Sequence, residues 1–220
     1  MKNSDTLAGL YRLQKKDSQR AAMVLTDAFE HDPIWQVLLS DATPTQKVGA
    51  FETPLLYCLK YGQVYATSEN LEGIAAWVPG EWAAMTPWRR VRSGAMRAAL
   101  KLGWKTAKKM EPVYAPLEAH RQETMQGKTF IYLQIIGVAA ACQGQGFGGK
   151  LLRALIEECE RSGTSLYLET ETESNVRMYE RFGFVVIKEI VLPIINLPMW
   201  EMVRDLSKKR SSEDQTQEQA

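Results

Sequence analysis

The sequence predicts an α/β (α+β) fold, a twisted mixed sheet of about seven strands with helices on both faces. Three observations carry that expectation. Phe130 to Val138 is an almost unbroken apolar run, the composition of a strand whose sheet is covered on both faces. Phe147, Leu151, Leu152, Leu155, Ile156 and Cys159 recur at helical spacing, with Lys150, Arg153, Glu157, Glu158, Glu160 and Arg161 on the other face. Between the two, Gln143-Gly144-Gln145-Gly146-Phe147-Gly148-Gly149-Lys150 turns a strand end directly into a helix start.

The other elements follow in chain order. Tyr11 to Gln14 reads as the first strand. Asp17 or Ser18 caps a helix with Ala21, Leu25, Ala28 and Phe29 on its buried face. That helix stops at His31-Asp32-Pro33, because proline disfavours the helical conformation in the residue before it. Asp32 therefore reads first as a turn or capping residue. Thr45 to Tyr61 is a second helix with Val48, Phe51, Leu55 and Leu59 on one face, and Pro54 should kink or split it. Val64 to Thr67 and Gly73 to Val78 form a hairpin.

Residues 80–127 are too long for an ordinary loop and read as a helical insertion. Trp88 to Met110 is helical in pattern and carries Arg89, Arg90, Arg92, Arg97, Lys101, Lys105, Lys108 and Lys109. A basic amphipathic helix can lie on a membrane or contact RNA. The simpler account is the solvated face of a segment packed over a binding site, since 27 basic and 26 acidic residues leave no global field. Pro112 to Pro116 is a connector and Leu117 to Met125 a short helix, with His120 at the surface because no second His or Cys stands at metal-ligand spacing.

Beyond the glycine cluster, Leu166 to Thr170 is the fifth strand. Asn175 begins a short helix with Tyr179 one turn further on the same face. Val185 to Leu192 and Leu197 to Val203 are the last strands. Residues 1–206 thus make one domain, and the polar segment 207–220 is expected to be disordered. Cys58, Cys142 and Cys159 have no metal-ligand spacing and suit a reduced cytoplasmic protein. No apolar run is long enough to span a bilayer, and the N-terminus lacks an apolar signal core.

A glycine cluster between strand and helix exposes unpaired N–H groups at the positive end of a helix dipole. Without Cβ atoms, the backbone can approach a phosphate or pyrophosphate closely. A tight turn alone also calls for glycine. A P-loop is excluded because Lys150 precedes Leu151 rather than Ser or Thr. The Gly-x-Gly-x-x-Gly spelling is present, but too little chain follows it for a dinucleotide-binding fold.

These residues resemble the GNAT superfamily of N-acetyltransferases. Gln143, Gly146 and Gly148 match its acyl-CoA loop, and Asn175 through Tyr179 to Gly183-Phe184 match its next block. The stretch from Leu168-Glu169-Thr170 to Phe184, with Trp200, is similar to the puromycin acetyltransferase branch. The resemblance covers residues 128–205, which would be the CoA-binding core. It implies a GNAT fold with a mostly antiparallel sheet and CoA in an opening where the fourth and fifth strands splay apart. It also implies main-chain contacts to CoA at Ile136, Gly137 and Val138. The loop contributes Gln143, Gly144, Gln145, Gly146, Phe147, Gly148, Gly149 and Lys150, joined by Asn175 and Tyr179. Tyr179 matches the family position that protonates the departing thiolate. Phe29 and Asp32 border the acceptor site.

Direct acetyl transfer to an amine needs a base, since a free alkyl ammonium has a pKa near 10. Glu169 is the first candidate, on the Leu-Glu-Thr match, and Tyr132 a weaker second. The N–H of Val138 is a candidate donor to the developing oxyanion. The reading is an acetyl-CoA-dependent enzyme acting on a small primary amine in a ternary complex. It needs no metal, and neither nucleic-acid nor membrane partners are expected. A monomer or homodimer is expected. A peptide or protein N-acetyltransferase, a non-catalytic acyl-CoA-binding regulatory domain and an RNA-associated module are the alternatives.

Overall fold

The computed structural model describes Leu7 and residues 9–206; the polar segment from Ser207 lies outside the described residues. Seven strands form one sheet in the order β1-β2-β3-β4-β5-β7-β6. They are β1 (Tyr11–Arg12), β2 (Gln63–Ala66), β3 (Gly73–Pro79), β4 (Phe130–Val138), β5 (Ser165–Thr170), β6 (Val185–Leu192) and β7 (Leu197–Arg204). Every neighbouring pair is antiparallel except β4 with β5. The mixed, mostly antiparallel sheet expected from the sequence is present, with strand ends moved by one or two residues.

Helices cover both faces. On one lie α1 (Ser18–Ala28), α2 (Pro33–Leu38) and α3 (Pro44–Tyr61). Leu25, Phe51, Leu55 and Tyr57 there join Ile74, Ala76, Val78, Tyr132 and Tyr167 in one core. On the other face α7 (Phe147–Ser162) and α8 (Glu173–Glu180) bury Leu151, Leu155, Val176 and Tyr179 against Leu133, Leu166 and Leu168. Strand alternation explains the split, because Tyr167 and Leu168 point to opposite faces.

Four details depart from the sequence reading. The helix α2 was unforeseen, because Pro33 looked like a stop; at the first helical position its missing N–H costs nothing. Pro54 does not split α3, which starts at Pro44 behind a capping box formed by Thr43 and Gln46. Residues 88–110 are not one helix. Left-handed Gly94 and a turn at Gly103 divide the insertion into α4 (Pro87–Ser93), α5 (Ala95–Leu102) and α6 (Trp104–Thr124). The proline connector lies inside α6, whose fold-back contacts offset the two hydrogen bonds that Pro112 and Pro116 forgo. Val113 and Leu117 of that helix are buried with Ile34, Leu38, Leu192 and Met199.

Candidate functional site

The strand β4 positions everything that follows. It pairs with β3 along its whole length, from Pro79↔Ile131 to Gly73↔Val138. With β5 it pairs only from Phe130↔Ser165 to Tyr132↔Tyr167. Further along, β5 continues beside β7 alone, so β4 and β5 diverge. Ile136, Gly137 and Val138 lie beyond the last shared pair, with one backbone edge facing the opening. A Cβ at Gly137 would stand 2.8 Å from Leu25 Cδ2 and 2.9 Å from Phe29 Cε2, so the glycine lets those two side chains pack directly on the strand.

The chain leaves β4 through a 3₁₀ turn at Ala140–Cys142 and the glycine loop. Gln143 folds back, its side-chain amide donating to the carbonyl of Val138 at 3.2 Å. Gly144 and Gly146 have φ of 76° and 85°, and a Cβ on either would meet nothing within 4 Å. Both therefore border open space. Gly146 is the N-cap of α7, and Phe147, Gly148 and Gly149 are its first turn, with N–H groups that no helix can pair internally. Gln145 donates back to Ala141, and Lys150 reaches the carbonyl of Thr67 at 3.2 Å. The donor set suits an anion carried by phosphates.

A cavity of about 130 Å³ opens under the divergence. It gathers Phe29, Asp32, Tyr132, Ile136, Glu169, Asn175 and Tyr179, all singled out from the sequence, from four separate segments. Its other lining residues include Trp35, Tyr114 and Glu171. Asp32 caps α2, its Oδ1 accepting the N–H of Ile34 and Trp35 at 3.0 Å each, so the capping reading holds beside its place in the cavity. The helix of Asn175 and Tyr179 begins earlier than expected, at Glu173, with Thr172 as its cap.

Glu169 is heavily engaged. Its Oε1 accepts from Arg121 at 2.7 Å and from the Tyr167 hydroxyl at 3.1 Å, and its Oε2 accepts from the Tyr132 hydroxyl at 2.7 Å. Arg121 comes from α6 and stacks 4.1 Å from the Tyr132 ring centre. Both charged side chains are over 90 % buried. Burial and the Glu169 charge push the Tyr132 and Tyr167 hydroxyls up, so both stay protonated donors. Directly across the antiparallel pair from Glu169 stands Glu201, fully buried. His120 Nδ1 lies 3.3 Å from it, so His120 is half-buried in this pairing rather than on the surface.

Glu171 differs from Glu169. Burial, then a hydrogen bond with the Asp32 carboxyl, pushes it up to about 9. Tyr179 is buried close by, and burial, reinforced by the Glu171 charge, raises its hydroxyl too. Three carboxyl groups and one guanidinium thus converge among aromatic walls, a net acidic site that favours a cation. Among the described residues no cluster of His, Cys, Asp and Glu could hold a metal ion. Nor is any described helix long and apolar enough to cross a membrane. Glu171 escaped the sequence reading because only folding brings it to Asp32, and Arg121 because one arginine among many basic residues carries no signal. A second carboxylate two residues past Glu169 was the one available hint.

Residues 103–184 match the acetyltransferase (GNAT) family. An uncharacterized N-acetyltransferase of Schizosaccharomyces pombe is 28 % identical over 220 residues, covering 95 % of this chain and 88 % of that protein. Among solved structures, arylalkylamine N-acetyltransferase 2 from Aedes aegypti has a TM-score of 0.65 at 15 % identity, over 90 % of this chain and 98 % of that one. A polyamine N-acetyltransferase of Drosophila melanogaster reaches 0.60 at 14 % identity, over 88 % and 97 %. At those identities the two structures speak for the fold.

Proposed function

We propose that this chain is an acetyltransferase of the GNAT type, moving the acetyl group of acetyl-CoA directly to the primary amine of a small molecule, a reading supported by the family match and by the relative from Schizosaccharomyces pombe. Residues 1–206 act as one domain in this reading. The observation that carries it is the Asp32–Glu171 carboxyl pair facing Tyr179 under the open end of β4. CoA supplies the thioester. The loop from Gln143 to Lys150 takes its phosphates, and the free edge of Ile136, Gly137 and Val138 lies along its arm.

The amine arrives as an ammonium and is drawn to the acidic pocket. A base works best when its proton affinity approaches that of the acid it faces. Glu171, pushed up to about 9, nearly matches an alkyl ammonium near 10, whereas an ordinary carboxylate is several units too weak. Once Glu171 has lost its own proton, it takes one from the ammonium. The freed nitrogen attacks the thioester carbon, the Val138 N–H stabilises the developing oxyanion, and the C–S bond breaks. Tyr179 gives its proton to the departing thiolate. Glu169 holds Arg121, Tyr132 and Tyr167 in place.

The pocket's size supports a small amine head. A larger cavity, about 670 Å³, shares Phe29 and Trp35 with it and gives room for the rest of the acceptor. The arylalkylamine and polyamine enzymes of similar fold point to the same substrate class. The test is a thiol-release assay with acetyl-CoA and a panel of arylalkylamines, diamines and peptides across pH. Turnover of small amines, with kcat/KM rising toward a midpoint near pH 9 and that limb absent in Glu171→Gln, is the expected result. Turnover of peptides alone, or an unchanged pH profile in Glu171→Gln with the limb lost in Glu169→Gln, overturns the assignment.

A further inference from the structure

Four of the eight cations between residues 88 and 110 are engaged within the fold. Arg89 donates to the carbonyls of Glu81 and Ala84 and stacks on Trp82; Arg90 donates to Met85. Lys101 pairs with Glu52 and Lys109 with Asp41. Arg92 makes no such bond among the described residues. It lines a separate cavity of about 360 Å³, together with Arg12, Lys15 and Lys60.

These four cations come from four places: β1, the 3₁₀ turn after it, the last turn of α3 and the last turn of α4. Among the described residues none of them has an ion-pair partner, and no Asp or Glu lines the cavity. Its floor is aliphatic, with Leu13, Leu56 and Val64 buried. It shares no residue with the acceptor pocket or the glycine loop. A cation in the last turn of a helix is favoured by the dipole, which accounts for Lys60 and Arg92 individually. It does not account for Arg12 on a strand, nor for the convergence of all four on one hollow.

We propose that this cavity is a second binding site, for a small soluble anion carrying two or more phosphate groups. Guanidinium groups grip phosphate in a two-pronged geometry, and lysines add compact charge. No aromatic side chain lines the cavity, so nothing there would stack a nucleobase. The ligand would be held by its phosphates, with an aliphatic skeleton against Leu13 and Val64.

Calorimetric titration of inorganic tripolyphosphate into the full chain, saturated with CoA so that the glycine loop is covered, tests the assignment. Saturable one-to-one binding is expected, weakening with added salt. Arg12→Gln combined with Arg92→Gln should weaken it at least tenfold. Arg97→Gln combined with Lys105→Gln removes the same charge from exposed positions elsewhere, and should change it less than twofold. Equal losses in both pairs, or no saturable binding, would mean a diffuse positive field and overturn the site. ATP binding more than tenfold tighter than tripolyphosphate would overturn the non-nucleotide class. Cosedimentation with phosphoinositide vesicles, lost in the Arg12/Arg92 pair while tripolyphosphate fails to bind, would overturn the soluble source. Both double variants keep the glycine loop intact, so failure of CoA to bind would count against the acetyl-transfer reading and leave this comparison readable.

Discussion

The glycine loop and the acceptor pocket hang from the same strand yet are built on opposite principles. The loop is eight consecutive residues that offer backbone N–H groups at the start of α7, so its character is written in its composition. The pocket is made of side chains from residue 29 to residue 199, and it includes a helix of the insertion. A backbone site is local in sequence; a side-chain site exists only once the chain is folded. Substitutions in the loop should therefore act on CoA affinity, and those in the pocket on stability or turnover.

The largest effect belongs to Arg121. Removing one partner of a buried ion pair leaves an uncompensated charge and costs about 3–5 kcal/mol. Arg121→Met should lower the free energy of unfolding, read by denaturant titration, by an amount of that size, because Glu169 would keep its burial and lose its strongest donor. Arg121→Lys should recover only part, since an ammonium cannot both pair with Glu169 and stack on Tyr132. A loss below 1 kcal/mol for Arg121→Met would show that α6 is held by its apolar face alone.

Next come two substitutions that should dissociate cleanly. Glu171→Gln should lower kcat/KM about 100-fold, the lower end of what general-base catalysis supplies, with CoA affinity unchanged. Gly146→Ala should do the reverse. Its φ of 85° costs an alanine roughly 1 kcal/mol, and the new methyl group would project into the open space beside the N-terminus of α7. CoA should bind about tenfold more weakly, with saturated turnover little changed. If both substitutions alter both quantities, the two halves are not separable and the comparison fails.

How much was legible follows the same division. The strands β4 and β5, the loop on the N-terminus of α7 and the helix of Tyr179 were readable from periodicity and glycine placement, whereas the divergence of the two strands was implied only by the family resemblance. The insertion was misread where helix signals compete. Gly94 and Gly103 looked tolerable inside a long basic pattern, and Pro112 and Pro116 looked like a break. Tertiary contacts of Val113 and Leu117 outweighed the prolines, and left-handed φ at the two glycines outweighed the pattern. The Glu169–Arg121 and Glu171–Asp32 pairs were invisible because each joins residues far apart in the chain, and no spacing rule reaches that far.

The smallest predicted effect separates two carboxylates by the direction of their shifts. Glu171 is pushed up by burial, so between about pH 5 and pH 9 the folded chain holds a proton that the unfolded chain has released. Stability from this group is complete below its unfolded pKa and is lost as pH rises through about 9. Buried Glu201 is raised in the same sense. Glu72, on the β2–β3 hairpin, is held down to about 2 by hydrogen bonds from Thr67 and Ser68. Its contribution is present above the ordinary carboxylate range and fades as pH falls toward 2. The melting temperature should therefore decline from pH 5 to pH 9, and Glu171→Gln should flatten that slope. Glu72→Gln should leave the alkaline slope intact and flatten only the acid limb. A melting temperature independent of pH above 5 would mean that Glu171 is already ionised in the folded chain, and the matched-base argument would go with it.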